Sequence, residues 1–577
     1  MKEISNIIKF VNNNNDYEKW NLYDASSLKR LNNIHYNIDP FSNKLFNQDI
    51  IKVNNKGEFI KIIHSSNREM YGLPGILNLS NNFNQLHNTY IVTPDDKRLP
   101  NFKIKISKRI INKYRKYKQI YVIIRYNNWK EEIPDAEMVS IIGNVKKLSN
   151  YYEYQLYCKS LYASIQNFTK KTMLKIKNKC DIEIVNNIMN NPNYNIEDRT
   201  NQQEWNIITI DAKETKDFDD AFGIKYEKNE DITILSIYIS NVTVWLNYLD
   251  LWDSFTSRVT NIYLPDRKRP MLPTVLSETL CSLKEGENRI TFVIDIFIKN
   301  NQIINTEFKN ACINVTKNYI YNEQSLLNNT TYLLTYDTIN KLQFKYFNKM
   351  IGNIIDSHDL ITFIMVLMNY LCGKELYNEH NGIFRMIKYD NDENIPESLP
   401  KDIRSFLHNW YNSGSQYVEI KDIQSHKILK LESYVHITSP IRRLIDILNI
   451  SIIQIHKNII NINENGTAFI KYWTNEKQLH YINSSMKAIR KLQNNCNLIY
   501  QVHKNPMILE RKYEGYIIEK VQRNDGLYQY VAFIPELHFM NKYTCRNEYQ
   551  RFTKMEYTLH MFEDENTFQK KIMFGFE

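Results

Sequence analysis

Residues 206–221 read NIITIDAKETKDFDDA, and the fold is decided in this stretch. The mostly apolar run at 206–210 reads as a strand. It delivers Asp211, and Asp217, Asp219 and Asp220 follow within ten residues. Four carboxylates this close repel one another unless positive charge lies among them. Hard oxygen ligands without an accompanying His or Cys suit Mg²⁺ or Mn²⁺ better than zinc. Two such ions, roughly 3.5–4 Å apart, can hold the attacking water and the leaving oxygen of an in-line phosphodiester displacement. A solvated acidic loop is the bland alternative. A calcium loop is another, although the spacing misses the EF-hand pattern and lacks its glycine.

Working outward, ITILSIYI at 232–239 reads as a second strand, and 357–380 has helical length with an apolar face. Further helices are expected at 440–457 and about 475–500. Together these give a mixed α/β domain over 204–505. A polar connector at 169–203 precedes it and is read as a linker. Before that, 71–168 is rich in short strands bounded by turn signals, as in a small barrel. Residues 1–70 are irregular, with strand-like runs at 49–53 and 58–63, and strand-like text returns at 506–577.

The bulk properties are compatible with a nucleic-acid partner without demanding one. Net charge is +10 across 577 residues, and basic residues crowd 103–118 (KIKISKRIINKYRKYK). Such a surface attracts phosphate backbones by counterion release, and it would equally suit an anionic membrane. Seven scattered cysteines form no C-x-x-C pair, so neither a disulfide framework nor a zinc site is suggested, and a reducing compartment fits. The N-terminal residues lack a signal-peptide core, and no apolar run approaches the length of a membrane span. The expectation is a cytoplasmic protein with no membrane partner. No Walker-type glycine loop is present, so no ATP is implied.

The pattern D-x5-D-x-D-D after an apolar strand resembles the signature of the RNase II/RNase R (RNB) family. Three further motifs follow in order: IYLPDRKRPMLPTVLSETLCSL at 262–283, Met365 to Asn369 with Ile383-Phe384-Arg385, and YVHITSPIRRLID at 434–446. Residues 75–106, including VTPDDKRLP, with Trp129 and Pro134 beyond them, resemble the family's second cold-shock barrel. The chain is thereby identified as similar to the family's exosome-independent branch, with no PIN domain before the barrels.

The resemblance implies a multidomain α+β fold. A central mixed α/β RNB domain would be flanked by OB-fold barrels, two cold-shock-like at 1–70 and 71–168 and one OB-type at 506–577. It implies a monomeric 3′→5′ exoribonuclease that degrades single-stranded RNA processively to nucleoside 5′-monophosphates by a two-metal-ion mechanism. Asp211, Asp217, Asp219 and Asp220 would ligate Mg²⁺, or Mn²⁺. Asp219 would act most directly in the chemistry, and Arg442 would contact the scissile phosphate. Tyr263, Arg385, Arg442 and Arg443 would contact RNA, Tyr263 by stacking on the terminal nucleotides. Cys281 is expected to be a buried small apolar residue. The main alternative is an inactive RNB-fold regulator that binds RNA. A scaffolding subunit and a DNA exonuclease are the other rivals.

The family pattern is departed from at several places. Its Ile-Ala-Asp is Ile239-Ser240-Asn241 here, with Tyr238 in place of the preceding histidine. An aromatic is replaced by Leu444, and a His-Arg pair by Ile450-Ser451. The helix text at 486–497 offers no glutamate. These changes bear on affinity and rate rather than on reaction class.

Overall fold

The strand expected at 206–210 runs Ile208–Asp211 and is an inner strand of a seven-stranded mixed sheet. The computed structural model describes residues 6–84, 88–346, 354–387, 395–412, 415–422 and 433–575. They fall into two units, one of 163–263 with 267–490 and one of 1–162, 264–266 and 491–577.

In the first of these units the sheet order is Ile196–Arg199, Gln302–Asn314, Asn288–Lys299, Ile232–Ser240, Asp220–Glu227, Ile208–Asp211 and Lys317–Ile320. The first and last pairings are parallel and the others antiparallel. Strand periodicity explains the two faces. Ile208, Ile210, Leu235, Ile237 and Ile239 point into a large core shared with Leu360, Phe363, Ile364 and Leu367. Ile207, Ala221, Tyr238 and Val293 point the other way, into a smaller core. Because both faces are covered, these strands read as continuous apolar runs rather than alternations.

The helix expected at 357–380 runs Ser357–Asn378, and Asp356 caps it by accepting from Asp359 N–H at 2.9 Å. It is long and apolar enough to cross a membrane. Here its apolar side is spent on the core of the sheet. Gly373 lets the backbone of 433–434 pass close by, since a Cβ there would lie 3.2 Å from Tyr434 Cα. Asn369 then clamps this passing segment, donating to Tyr434 Oη at 3.1 Å and accepting from Ile437 N–H at 2.9 Å. The helix expected from 440 begins at Leu444, because Ser439–Arg443 is a turn in which Arg442 N–H and Arg443 N–H both reach Ser439 C=O. Helix Glu476–Lys504 covers the third expected helix.

The polar connector at 169–203 is not a linker. It contains helices Gln166–Ile176 and Asp181–Met189, then strand Ile196–Arg199, which pairs in parallel with Gln302–Asn314. Both helices are amphipathic, burying Phe168 and Thr172 in one and Ile184, Val185 and Ile188 in the other. Arg199 is buried at the end of that strand. Its guanidinium forks onto Asp295 at 2.8 and 2.6 Å and lies 4.3 Å above the Trp205 ring.

In the other unit, five strands close into a barrel in the order Leu73–Asn84, Thr89–Pro94, Phe102–Lys105, Asp135–Asn144 and Gln119–Asn128. The N-terminal strands form a four-stranded antiparallel sheet built around Ile7–Asn12. The C-terminal sheet has five strands and is nearly closed, with Asn541 Nδ2 donating to Ile572 C=O at 2.6 Å between its edges. The basic run at 103–118 folds as strand Phe102–Lys105 and helix Lys108–Tyr114. Ile110, Ile111, Tyr114 and Tyr117 pack inward on the core, so most of the cations face out.

Candidate active site

Asp211 ends its strand, and its own C=O accepts from Tyr321 N–H at 3.0 Å. The loop that follows is pinned by Ser282. The Ser282 hydroxyl donates to Lys216 C=O at 2.9 Å and accepts from Phe218 N–H at 3.1 Å. Leu283 N–H adds a bond to Phe218 C=O. The LCSL stretch is therefore a structural strap for the acidic loop. Cys281 within it is buried, and burial pushes its thiol above the ordinary cysteine range. It is no nucleophile.

Asp219 is buried at the centre of the cluster. Its Oδ1 accepts from Ile441 N–H at 2.9 Å and its Oδ2 from Arg442 Nε at 3.1 Å, while its C=O takes Ser240 N–H at 2.8 Å. Asp220 opens the next strand, opposite Ile239. Asp217 meets Lys268 Nζ at 3.1 Å. Desolvation dominates the electrostatics. Burial, with Asp220 and Asp219 close by, pushes Asp211 up to about 8. Burial lifts Asp219 to about 7 and Asp220 to about 6, against the opposing pull of Arg442 on both.

Arg442 joins the aspartates from the YVHITSPIRRLID motif, with its side chain 48% exposed. Its backbone C=O accepts from Thr260 Oγ1 at 2.7 Å and from Asn261 N–H at 3.1 Å, so the segment carrying Tyr263 is held to the same peptide. Tyr263 is exposed, and its Oη accepts from Asn261 Nδ2 at 3.3 Å. Arg443 turns inward to the buried Asp446 at 2.8 Å. Arg385 contacts His436 Nε2 at 3.2 Å, and His436 Nδ1 meets Tyr417 Oη at 2.6 Å. Burial, with Arg443 and Arg490 close by, lowers the pKa of Arg385. The structure thus joins the four aspartates and Arg442 in one cluster. Arg385 and Arg443 form an adjoining cationic group. His436, Tyr417, Asp446 and Lys268 were missed in the sequence, although His436, Asp446 and Lys268 lie inside its quoted motifs.

Metal fit can be judged from the donor set. Asp211 Oδ2 and Asp217 Oδ2 are buried without a hydrogen-bond partner. Buried carboxylate oxygens of this kind are what a hard cation would satisfy. Among the described residues, no three acidic, His or Cys side chains already converge as a formed metal cage. Arg442 and Lys268 hold Asp219 and Asp217 instead.

The departures at 238–241 and 450–451 have local explanations. Tyr238 Oη accepts from Arg199 at 3.3 Å, Ser451 Oγ meets Thr243 Oγ1 at 2.9 Å, and Ile450 is core. Asn241 caps helix Val242–Tyr248 by accepting from Val244 N–H at 3.2 Å, and its Nδ2 donates to Asn310 Oδ1 at 3.0 Å. Restoring a carboxylate would set two acceptors face to face. Asn310 cannot invert its amide without losing its bonds to Tyr194 and Ile459 C=O. Asn241→Asp is therefore expected to cost about 1–3 kcal/mol in urea melts.

The comparisons with known proteins agree with this architecture. Residues 199–332 match the RNB domain, and residues 89–154 match the Dis3-like cold-shock domain 2. Ribonuclease R of Mycoplasmopsis pulmonis is 27% identical over 361 residues, 52% of this chain and 48% of that protein. The chain spans about half the length of that relative, and exoribonuclease 2 of Baumannia cicadellinicola is matched, at 35% identity, over only 17% of its length. In fold, the chain resembles Mycoplasma genitalium RNase R, with a TM-score of 0.67 at 15% identity, covering 98% of this chain and 100% of the other. Yeast Ssd1, described as a pseudonuclease, is similar with a TM-score of 0.56 at 12% identity, covering 93% of this chain and 78% of the other. Fold and sequence define an RNB domain joined to OB-type barrels. The chain carries an RNB domain over residues 199–332 and is similar in sequence to ribonuclease R and exoribonuclease 2.

Proposed function

We propose that the chain is a 3′→5′ exoribonuclease that hydrolyses single-stranded RNA processively to nucleoside 5′-monophosphates at two cation positions. The observation that carries this is the buried aspartate cluster, with two unpartnered carboxylate oxygens beside the half-exposed guanidinium of Arg442. Bound Mg²⁺, or Mn²⁺, would supply Lewis-acid stabilisation of the phosphodiester and activation of a water. Asp211, Asp217, Asp219 and Asp220 would hold it.

Arg442, fixed by Asp219 and Ser439, offers a planar, permanent charge to the phosphoryl oxygens as negative charge develops there. Tyr263 stacks on a terminal base without reading its identity, which contributes about 1–3 kcal/mol per base. Arg385 would add positive charge beside the site, and Arg443, paired with Asp446, would brace the turn that carries Arg442. Water adds to phosphorus and the bond to the preceding 3′-oxygen breaks. The phosphate leaves on the nucleotide, and the shortened strand keeps a 3′-hydroxyl. RNA as the polymer is supported by the likeness to Mycoplasma genitalium RNase R, solved in complex with ribose-methylated single-stranded RNA.

A second reading, an inactive RNA-binding regulator, draws on the likeness to Ssd1. The intact aspartates and Arg442 weigh against it. The test is a 5′-labelled RNA incubated with and without Mg²⁺, beside a 3′-phosphate-blocked RNA and DNA of the same sequence. Metal-dependent shortening of RNA alone to 5′-monophosphates is expected. Binding without cutting in Mg²⁺ and Mn²⁺ would favour the regulator.

A pH dependence follows from the raised aspartates. The folded chain keeps protons that its unfolded form releases in the ordinary carboxylate range, so metal-free stability declines as pH rises toward about 8. A divalent ion binds the deprotonated cluster and reverses that loss. The Tm gain on adding Mg²⁺ is expected to be larger at pH about 8 than at pH about 6, read by differential scanning fluorimetry.

A further inference from the structure

Lys268 is a cation of the acidic cluster to which the proposed function gives no role. It stands on the short strand Arg267–Arg269, and its Nζ lies 3.1 Å from Asp217 Oδ1 and 3.2 Å from Glu278 Oε1. The three side chains are 24%, 12% and 24% exposed, so water screens them little. An ammonium bridging two carboxylates occupies the place a cation would take.

The same contact orients Asp217. Lys268 holds Oδ1, which leaves Oδ2 buried and without a hydrogen-bond partner. Asp217 adds its charge to that of Asp211, whose own Oδ2 is also unpartnered. One oxygen of Asp217 is thus engaged by the ammonium, and the other, like Asp211 Oδ2, has no hydrogen-bond partner.

Charge counting points the same way. Asp211, Asp217, Asp219, Asp220 and Glu278 carry five negative charges when ionised, and Arg442 and Lys268 return two. One divalent ion would leave the cluster weakly negative. Two would make it positive before any phosphate arrives.

We propose that Lys268 is a positioning residue, a tethered monovalent stand-in at one of the two cation positions, so that the site takes a single divalent ion. This rests on the metal-dependent reading of the cluster. Glu278 is its anchor, keeping the ammonium against Asp217 rather than in solvent.

Mn²⁺ titration of the full chain, with free ion followed by electron paramagnetic resonance, tests it. The wild type should bind one ion. Lys268→Met/Glu278→Gln, which removes the ammonium together with the carboxylate it would leave unpaired, should bind two. Lys268→Arg keeps the charge and should remain at one, and thermal melts check that each variant folds. Two ions on the wild type, or one on the folded double variant, would overturn the role of Lys268 while sparing the metal reading. No ion on any of the three would overturn both.

Discussion

Asp219→Asn is expected to reduce RNA hydrolysis by roughly 10³-fold or more while leaving strand binding intact. The substitution keeps the side chain's size, and its remaining oxygen can still accept from Ile441 N–H, the bond that seats Asp219 beside the arginine motif. What is lost is charge. Arg442 Nε now ends on Asp219 Oδ2 and would face a neutral amide. A hard cation would lose one of its four anionic ligands. Stability should not fall in proportion, because burial and like charges already push Asp219 up to about 7, and a neutral residue relieves that repulsion. Single-turnover cleavage, fluorescence anisotropy with labelled RNA, and melting curves separate the three effects. Unchanged cleavage would remove Asp219 from the reaction, and a collapsed melting curve would make it structural.

Arg199→Met should destabilise the central sheet by about 3–5 kcal/mol, the usual cost of stranding one partner of a buried ion pair. Arg199 is 1% exposed and bonds Asp295 through two nitrogens, with Glu197 Oε1 at 2.9 Å from its Nε. Burial alone would raise Asp295, yet the Arg199 fork holds it below the ordinary carboxylate range. That contribution is present above the unfolded pKa of the aspartate and is lost as pH falls through the lower folded value. The gap between wild type and variant in urea melts should therefore narrow in acid. Arg199→Met/Asp295→Asn should recover much of the loss, since the stranded charge is gone. An undiminished gap in the double variant would assign the effect to the Trp205 contact rather than to the pair.

That pair also explains what was legible in the sequence and what was not. Strands buried on both faces, such as Ile208–Asp211 and Ile232–Ser240, announce themselves as apolar runs, and the aspartates beside them follow from spacing. Helix Ser357–Asn378 was legible for the same reason. Strand Ile196–Arg199 was not, because IEDR carries no strand-like pattern and joins the sheet through a parallel partner more than a hundred residues away. Its arginine is buried only because Asp295 lies opposite, which composition does not reveal. Lys268 was hidden likewise. Nothing in DRKRP says that its second cation turns inward to Asp217 and Glu278. The meaning of Asn241 also needed coordinates, since its value as a cap depends on Asn310.

The frame of the aspartate cluster is built largely from peptide groups. Asp219 is held by the N–H groups of Ile441 and Ser240, and Arg442 C=O by the N–H of Asn261. Every residue except proline brings the same donor, whatever its side chain. These three donors need no particular side chain, although Asn261 also holds Tyr263 through its amide and Ser240 bonds Cys281 C=O through its hydroxyl. Proline is the one residue that would remove such a donor outright, so the frame is closed to it at positions 240, 261 and 441.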